Sequence, residues 1–366
     1  MKIGFYSPLP PQRTGVADYS AVLLGALRRL GEVEVEARDA DVCLYHLGNN
    51  SLHRAIYERA LARPGVAVLH DAVLQHFFLG TLGEGAYIEE FVYNYGEWSR
   101  HLGADLWRNR SRSAQDARYF DYPMLRRVAE TSLAVVTHNA AAGAAVLRHA
   151  PSARVVEIPH LFVPPPATPA AEIIHLRESW NLAPGTFLFG VFGYLRESKR
   201  LWSVLGAFDR VREAGVGAAL LIAGEFVSSD LERAIRPALE RPGVVRVGFM
   251  SDEEFWRAAR AADACINLRH PAGGETSGIT VRLMGIGKPV IATDAAENAN
   301  YPAEACLRVP AGVAEPDALA EYMIWLARFP QDARRIGRRG AARIASHHAL
   351  DAVAARYGEL LCELHR

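Results

Sequence analysis

The chain has 366 residues, enough for two domains with separate hydrophobic cores. Half of the residues are hydrophobic and the formal net charge is zero, so the overall charge gives no reason to expect a nucleic acid partner. No apolar run approaches the roughly 20 residues of a membrane-spanning helix, and the N-terminus is predicted to be a β-strand and not a signal peptide. Four widely spaced cysteines favour free thiols over a disulfide framework or a zinc site. We therefore expect a cytoplasmic protein.

The first half of the sequence alternates apolar strands with helices. Strands are predicted near residues 2–6, 33–37, 41–46, 66–70, 132–137 and 154–158. After the first strand, a proline-rich loop ends at Gly15, where an amphipathic helix begins. The loop is neither a GxGxxG fingerprint nor a P-loop, but a glycine at the start of a helix lets a ligand approach the backbone closely. Gly15 is therefore a candidate binding residue.

Several histidines could be functional. His70 ends an apolar strand, and on its own it is either a structural strand-end residue or a functional one. His138 lies between a strand and Asn139, a predicted helix N-cap, so a structural role is favoured there. The adjacent His347 and His348 are expected on a helix surface.

The second half begins after VPPPATPAAE, residues 163–172, which is the most proline-rich stretch and a natural linker. Strands are predicted near residues 186–192, 218–223, 244–247, 264–267 and 289–292. The alternation of strands and helices in both halves predicts parallel sheets with helices on both faces.

A strand-to-helix turn in FLFGVFGYLRESKRLWSVLGAF, residues 187–208, contains Arg196, Lys199 and Arg200. Lys199 is one of only three lysines in the chain. Its compact charge suits a phosphate oxygen. The alternative is a solvated helix start.

The segment HPAGGETSGITVRLMGIGKPVIATD, residues 270–294, contains a loop with Glu275 and then a helix start at Ser277 and Gly278. The first N–H groups of a helix have no partner within the helix and favour an anion. A carboxylate accepts hydrogen bonds from sugar hydroxyls. The segment therefore favours a sugar attached to a phosphate, although its glycines could also serve only tight turns.

These segments, in this order and spacing, resemble family 4 of the retaining glycosyltransferases with the GT-B fold. SPLPPQRTG, GYLRESKR and GETSGITVRLMGIGKPVIATD stand where that family has its first-strand loop, its Gly-Arg pair with a Lys, and its Glu-x7-Glu loop. The resemblance implies an α/β protein of GT-B architecture, with two Rossmann-like doubly wound domains that face a cleft. These are an acceptor-side domain (1–164), a nucleotide-sugar domain (165–345) and a C-terminal helix (346–366) that crosses back to the first domain.

The resemblance also implies site residues. Lys199 would stabilise the leaving phosphate, Glu275 would bind hydroxyls of the donor sugar, and His70 would position that sugar; these three are the predicted catalytic residues. The predicted substrate contacts are Gly15, Arg196, Arg200, Phe249, Thr276, Ser277, Gly278, Arg282 and His160.

The chain departs from the family at two positions. Tyr194 stands where the family has an arginine after the glycine, so only Lys199 matches the phosphate-binding pair. Arg282 stands in place of the second Glu, and an arginine cannot accept hydrogen bonds from ribose hydroxyls. Counting along the helix from Gly278 places Arg282 on the same face. We therefore expect Arg282 to face the cleft and donate to phosphate or ribose oxygens; the alternative is that it points into solvent.

The function implied is a retaining hexosyltransferase of polysaccharide biosynthesis that uses a UDP- or GDP-sugar and a saccharide or lipid-linked acceptor. No cofactor is expected. Asp39 and Asp41 have the Asp-x-Asp spacing of metal-dependent transferases of another fold, but they precede a strand, so no metal is expected. The basic runs 107–118 and 334–343 leave open a peripheral contact with the inner face of a membrane. The alternatives are a sugar-nucleotide epimerase or phosphorylase of the same fold, or an inactive protein that only binds sugar nucleotide.

Overall fold

The computed structural model describes residues 1–366, and the chain divides into two compact units. Unit 1 comprises Met1–Leu161, Pro271–Thr276 and His348–Arg366, and unit 2 comprises Phe162–His270 and Ser277–His347. Each unit contains one six-stranded sheet in which every strand pair is parallel.

The sheet of unit 1 has the strand order β2-β1-β3-β4-β5-β6. Its strands are β1 (Lys2–Tyr6), β2 (Glu32–Val35), β3 (Val42–Leu47), β4 (Val66–Leu69), β5 (Ala134–Thr137) and β6 (Val155–Glu157). Its helices are α1 (Gly15–Leu27), α2 (Arg54–Ala62), α3 (Gln75–Thr81), α4 (Glu84–Tyr95), α5 (Arg100–Arg108), α6 (Arg118–Asp121), α7 (Arg126–Thr131) and α8 (Ala140–His149). The central strands β3, β4 and β5 are buried throughout, as expected for a parallel sheet covered on both faces.

The sheet of unit 2 has the order β12-β11-β10-β7-β8-β9. Its strands are β7 (Phe187–Phe192), β8 (Ala218–Ala223), β9 (Val244–Val247), β10 (Ala264–Asn267), β11 (Val290–Thr293) and β12 (Leu307–Val309). Its helices are α9 (Ala170–Ser179), α10 (Leu201–Glu213), α11 (Ser229–Leu239), α12 (Asp252–Ala261), α13 (Gly278–Gly285), α14 (Glu315–Arg328) and α15 (Pro330–His347). The last helix of the chain, α16 (Leu350–His365), belongs to unit 1.

Helix α16 completes the core of unit 1. It packs against α1, and the buried hydroxyls of Tyr19 and Tyr357 lie 3.0 Å apart. Unit 1 therefore depends on residues from both ends of the chain for its hydrophobic core.

The structure confirms the predicted fold class of two Rossmann-like parallel-sheet domains. All eleven predicted strands exist, whereas β12 was not predicted. The predicted domain limits at residues 164 and 345 stay predictions, beside unit limits at Leu161 and His347. None of the helices combines the length and the apolar composition that a bilayer crossing requires.

The carboxyl ends of β7 and β8 approach each other so closely that only glycine fits. Gly193 has a φ of +96° and Gly224 a φ of +142°. A Cβ atom on Gly224 would overlap the carbonyl oxygen of Gly193. This close approach shapes the turn that leads from β7 to Lys199.

Candidate functional site

Lys199 is a buried cation at the carboxyl end of the unit 2 sheet. Only 5% of the residue is exposed, and it ends the short 3₁₀ turn that follows β7. Its Nζ donates to the carbonyl oxygen of Phe192 at 3.0 Å and to Oδ1 of Asn267 at 2.5 Å. A buried ammonium needs such acceptors because its desolvation is costly. The turn therefore holds a positive charge in a fixed place.

Asn267, the last residue of β10, connects Lys199 to the start of α13. Its Nδ2 donates to Oγ of Ser277 at 2.8 Å and to Oγ1 of Thr280 at 2.6 Å. Ser277 is also the N-cap of α13, because its Oγ accepts a hydrogen bond from the Thr280 amide. The predicted position of Ser277 and Gly278 at a helix start is thus confirmed.

The same network brings the Lys199 ammonium close to the first turn of α13. A Cβ atom on Gly193 would lie 3.5 Å from the side chain of Ile279 and 4.0 Å from Nζ of Lys199. A buried cation beside a helix N-terminus is suited to bind an anion such as a phosphate. Sequence reasoning missed Asn267, although a single polar residue at the end of the apolar strand ACIN was a usable signal.

Arg200, beside Lys199, has a packing role that differs from the predicted substrate contact. Its Nε lies 2.8 Å from a carboxylate oxygen of Glu315, whose side chain is fully buried. Ser203 donates to the same carboxylate at 2.6 Å. The ion pair of Arg200 therefore holds the turn after β7 against α14. Arg196, by contrast, is exposed.

Arg282 requires a correction of its expected orientation. Its guanidinium forms an ion pair with Asp252 and lies 4.4 Å and 4.3 Å from the ring centres of Phe255 and Trp256. The guanidinium therefore packs against helix α12 and does not point freely into solvent. The expected helix face also packs internally, because a Cβ atom on Gly285 would overlap the ring of Phe162.

The loop that carries Glu275 and Thr276 belongs to unit 1 and is held at the ends of β4 and β5. The Ala72 amide donates to the Gly273 carbonyl at 2.7 Å. Asn139, confirmed as the N-cap of α8, donates from Nδ2 to the Gly274 carbonyl and to Oγ1 of Thr276, each at 3.0 Å. The loop is therefore fixed by hydrogen bonds from two strand ends.

Two carboxylates lie near one glycine of this loop. A Cβ atom on Gly273 would lie 3.2 Å from Oε2 of Glu275 and 3.7 Å from Oδ1 of Asp71. The other oxygen of Asp71 accepts a hydrogen bond from the Asn49 amide at 2.8 Å. Such an arrangement can accept hydrogen bonds from hydroxyl groups. Asp71 was not predicted as a site residue.

His70 lies in a group of aromatic rings around Tyr19. The ring centres of His70, His138 and His160 are 4.9, 5.3 and 4.9 Å from that of Tyr19. In addition, Nε2 of His70 lies 3.0 Å from Nδ1 of His46, a buried residue of β3. Burial, together with neighbouring imidazoles, holds the pKa of both His46 and His70 well below the usual value, so both rings are neutral at pH 7.

His160 and His348 are joined in the same unit. His160 donates from Nδ1 to the carbonyl of Leu161 at 2.8 Å, and the His160 carbonyl accepts a hydrogen bond from Nδ1 of His348 at 2.5 Å. His348 is only 1% exposed, so its predicted surface position is wrong. The helix ends at His347 and the chain turns inward there.

The remaining predicted residues are placed as follows. Gly15 is the first residue of α1, which Thr14 caps, and a Cβ atom on Gly15 would contact no other atom. Phe249 is 55% exposed. Asp39 and Asp41 lie at the opposite end of β1. There the Lys2 amide donates to Asp41 and the Lys2 Nζ donates to Asp39.

Comparison with known proteins gives this architecture a context. Residues 186–328 match the family described as "Glycosyl transferases group 1". Most of unit 2 thus matches a glycosyltransferase family. No match was found among curated protein sequences.

Solved structures share the fold over the whole chain. Sucrose-phosphate synthase from Thermosynechococcus elongatus has a TM-score of 0.72 at 16% identity, covering 100% of this chain and 99% of that chain. HepE of Anabaena in complex with UDP-glucose has a TM-score of 0.72 at 15% identity, covering 99% and 100%. WaaG, a glycosyltransferase involved in lipopolysaccharide biosynthesis, has a TM-score of 0.64 at 13% identity, covering 98% and 99%. The chain therefore has the GT-B fold.

Proposed function

We propose that the chain is a retaining, metal-independent glycosyltransferase that moves a hexose from a UDP- or GDP-sugar to a saccharide or lipid-linked acceptor. The observation that carries the proposal is the buried Lys199 ammonium, which Asn267 holds beside the N-terminus of α13. The family match of residues 186–328 supports a transferase. HepE, which has the same fold, was solved with UDP-glucose.

In this proposal, unit 2 binds the phosphates of the donor. Lys199 and the first amides of α13, at Ser277 and Gly278, stabilise the charge that develops on the leaving pyrophosphate. Donors that are already in place when the charge develops contribute most to such reactions. The exposed Arg196 adds positive charge at the same turn, and the backbone at Phe249 contacts the base.

Unit 1 contributes the groups that bind sugar. Glu275 accepts hydrogen bonds from hydroxyls of the donor sugar, Thr276 fixes the loop, and His70 contacts the sugar. The backbone at Gly15 lies against the donor, and His160 borders the same group of rings.

The reaction is a same-face displacement. The bond between the anomeric carbon and the phosphate oxygen breaks, and the acceptor oxygen bonds to the anomeric carbon from the same side. The acceptor proton passes to the departing phosphate. The protein therefore supplies binding and charge stabilisation, and no side chain has to serve as nucleophile.

The test starts with a thermal-shift screen of UDP, GDP and their sugars, because a ligand that binds the folded state raises its apparent stability. Transfer is then measured in excess EDTA with the donor that binds, over a panel of saccharide and lipid-linked acceptors. Lys199→Ala should lower turnover about 10²-fold, the effect typical of losing one such donor. Arg212→Ala, which removes an exposed cation of the same unit, should not.

Three results would overturn the proposal. The first is the absence of any stabilisation by nucleotide. The second is normal turnover by a folded Lys199→Ala variant. The third is consumption of the donor without acceptor to give an altered sugar, which would indicate an epimerase. The anomeric configuration of the product, read by NMR, tests retention separately.

A further inference from the structure

We propose that His46 is a positioning residue that fixes the ring proton of His70 on Nδ1, so that His70 donates a hydrogen bond to the ligand and does not act as a base. The identity of the ligand, a sugar hydroxyl oxygen, rests on the proposed function. The position of the proton rests on the contacts of unit 1 alone.

The contact between the two rings allows only two proton arrangements. Nδ1 of His46 lies 3.0 Å from Nε2 of His70, and the rings are stacked with an interplanar angle of 25°. A neutral imidazole has one N–H donor and one bare acceptor nitrogen. Either His46 donates to His70, or His70 donates to His46.

The far side of the His46 ring decides between them. Nε2 of His46 is buried and makes no hydrogen bond. If His70 donated to His46, the His46 proton would have to sit on that Nε2, and a buried N–H would be left without an acceptor. Orphaned buried N–H groups are rare in folded proteins because their desolvation is not compensated, whereas unsatisfied acceptors are tolerated more often. His46 therefore donates from Nδ1, and its bare Nε2 faces the core.

Two other buried histidines of the same unit show this preference directly. Nδ1 of His53 lies 2.9 Å from the His46 carbonyl, and Nδ1 of His138 lies 2.8 Å from the Ile158 carbonyl. A carbonyl oxygen only accepts, so both rings carry their proton on Nδ1. Their Nε2 atoms are buried without a hydrogen bond, like that of His46. In His46, as in these two rings, the unpaired nitrogen is then the bare one, and none of the three rings buries an unpaired N–H.

The proton position on His46 determines the proton position on His70. Its Nε2 accepts from His46, so its proton is on Nδ1. Unlike His46, residue His70 is only partly buried, and Nδ1 is the nitrogen left to meet a ligand. An N–H at this place donates to a sugar hydroxyl oxygen. It cannot take up the acceptor proton, which in the same-face reaction passes to the departing phosphate.

The position of the proton can be read by NMR without any substrate. Long-range ¹H–¹⁵N correlation spectra of the ¹⁵N-histidine-labelled full chain at pH 7 distinguish a protonated from a bare ring nitrogen. Comparison with the His70→Gln and His46→Asn variants assigns the two rings. We expect a protonated Nδ1 and a bare Nε2 for His70. A protonated Nε2 on His70 in the parent protein would overturn the inference.

Two substitutions of His46 test cause and effect. His46→Asn puts an amide N–H near the position of Nδ1 and should leave the His70 spectrum as in the parent. His46→Asp offers only an acceptor, so it should draw the His70 proton onto Nε2 and leave Nδ1 bare. If a folded His46→Asp variant kept the parent spectrum, His46 would not set the proton position. Should His46→Asp not fold, the parent and His46→Asn spectra still decide the point.

Kinetics then separate this inference from the proposed function. A bare Nδ1 cannot donate to the sugar, so kcat/KM should fall at least about tenfold in His46→Asp, the effect of one lost hydrogen bond, while His46→Asn stays close to the parent. A switched proton with unchanged kinetics would remove His70 from the proposed site. An unswitched proton would overturn the positioning role of His46.

Discussion

The substitution Asn267→Asp separates the charge of the Lys199 network from its shape. Aspartate has nearly the same size as asparagine and keeps an oxygen as acceptor for the Lys199 ammonium. The hydroxyls of Ser277 and Thr280, which now accept from Asn267, can turn and donate to the second oxygen. We therefore expect the variant to fold with a denaturation midpoint close to that of the parent.

The added negative charge should nevertheless weaken phosphate binding. Nζ of Lys199 lies 2.5 Å from Oδ1 of Asn267, and a phosphate oxygen bonded to the same ammonium would lie about 3 Å beyond it. The two negative charges would then be about 5 Å apart. At an effective dielectric constant of about 20, this separation corresponds to about 3 kcal/mol of repulsion, or roughly a 10²-fold loss of affinity.

Isothermal titration calorimetry with UDP and with uridine measures this effect. The affinity for UDP should fall about 10²-fold in Asn267→Asp, whereas the affinity for uridine, which has no phosphate, should not change. The control Asn181→Asp adds the same charge to an exposed turn of unit 2 and should bind both ligands as the parent does. Equal UDP affinity in a folded Asn267→Asp variant would refute the assignment of Lys199 to the phosphates.

Two further predictions concern Arg282 and the buried histidines of unit 1. Arg282→Ala should lower the free energy of unfolding by about 1–2 kcal/mol, because the ring contacts and the ion pair on α12 are lost, while the affinity for UDP should not change. Urea denaturation and calorimetry measure the two quantities. A loss of UDP affinity without a loss of stability would instead support a contact between Arg282 and the nucleotide. Burial lowers the pKa of His53 and of His138 to about 4, below the value near 6.5 in the unfolded chain. The unfolded chain therefore binds more protons, and the free energy of unfolding falls as the pH drops from about 6.5 towards 4. Each histidine should cost about 2 kcal/mol between pH 7 and pH 5, and a free energy of unfolding that is flat over this range would contradict the buried neutral rings.

Much of the fold was predictable because the central strands have a simple signal. Strands such as Val66–Leu69 and Ala134–Thr137 are short runs of apolar or β-branched residues, which suit a sheet buried on both faces. Strand Leu307–Val309 was missed, although the equally short strand Val155–Glu157 was predicted. It exists through its pairing with β11, which is a tertiary effect.

The candidate site was predictable only in part. Lys199 and Glu275 stood out by residue type at the ends of secondary structure elements, but their partners come from distant segments. In the sequence, Asn267 and His46 are single polar residues within apolar strands. Only the folded chain shows that they contact Lys199 and His70. For Arg282, counting along the helix could not show that the guanidinium packs on Phe255 and Trp256 of the neighbouring helix α12.

The path of the chain between the units has a consequence for the order of folding. The chain changes unit after Leu161, His270, Thr276 and His347. All residues of unit 2 have therefore been synthesised at His347, whereas unit 1 still lacks its last helix. Multidomain chains ordinarily fold from the N-terminal domain onwards during synthesis.

Here the unit that begins first is completed last. Until α16 emerges from the ribosome, the face of unit 1 that Tyr357 and Leu361 cover in the finished protein stays open to water and to other chains. A fragment that ends before His348 would expose that face permanently, and we expect it to aggregate even though it contains every strand of both sheets.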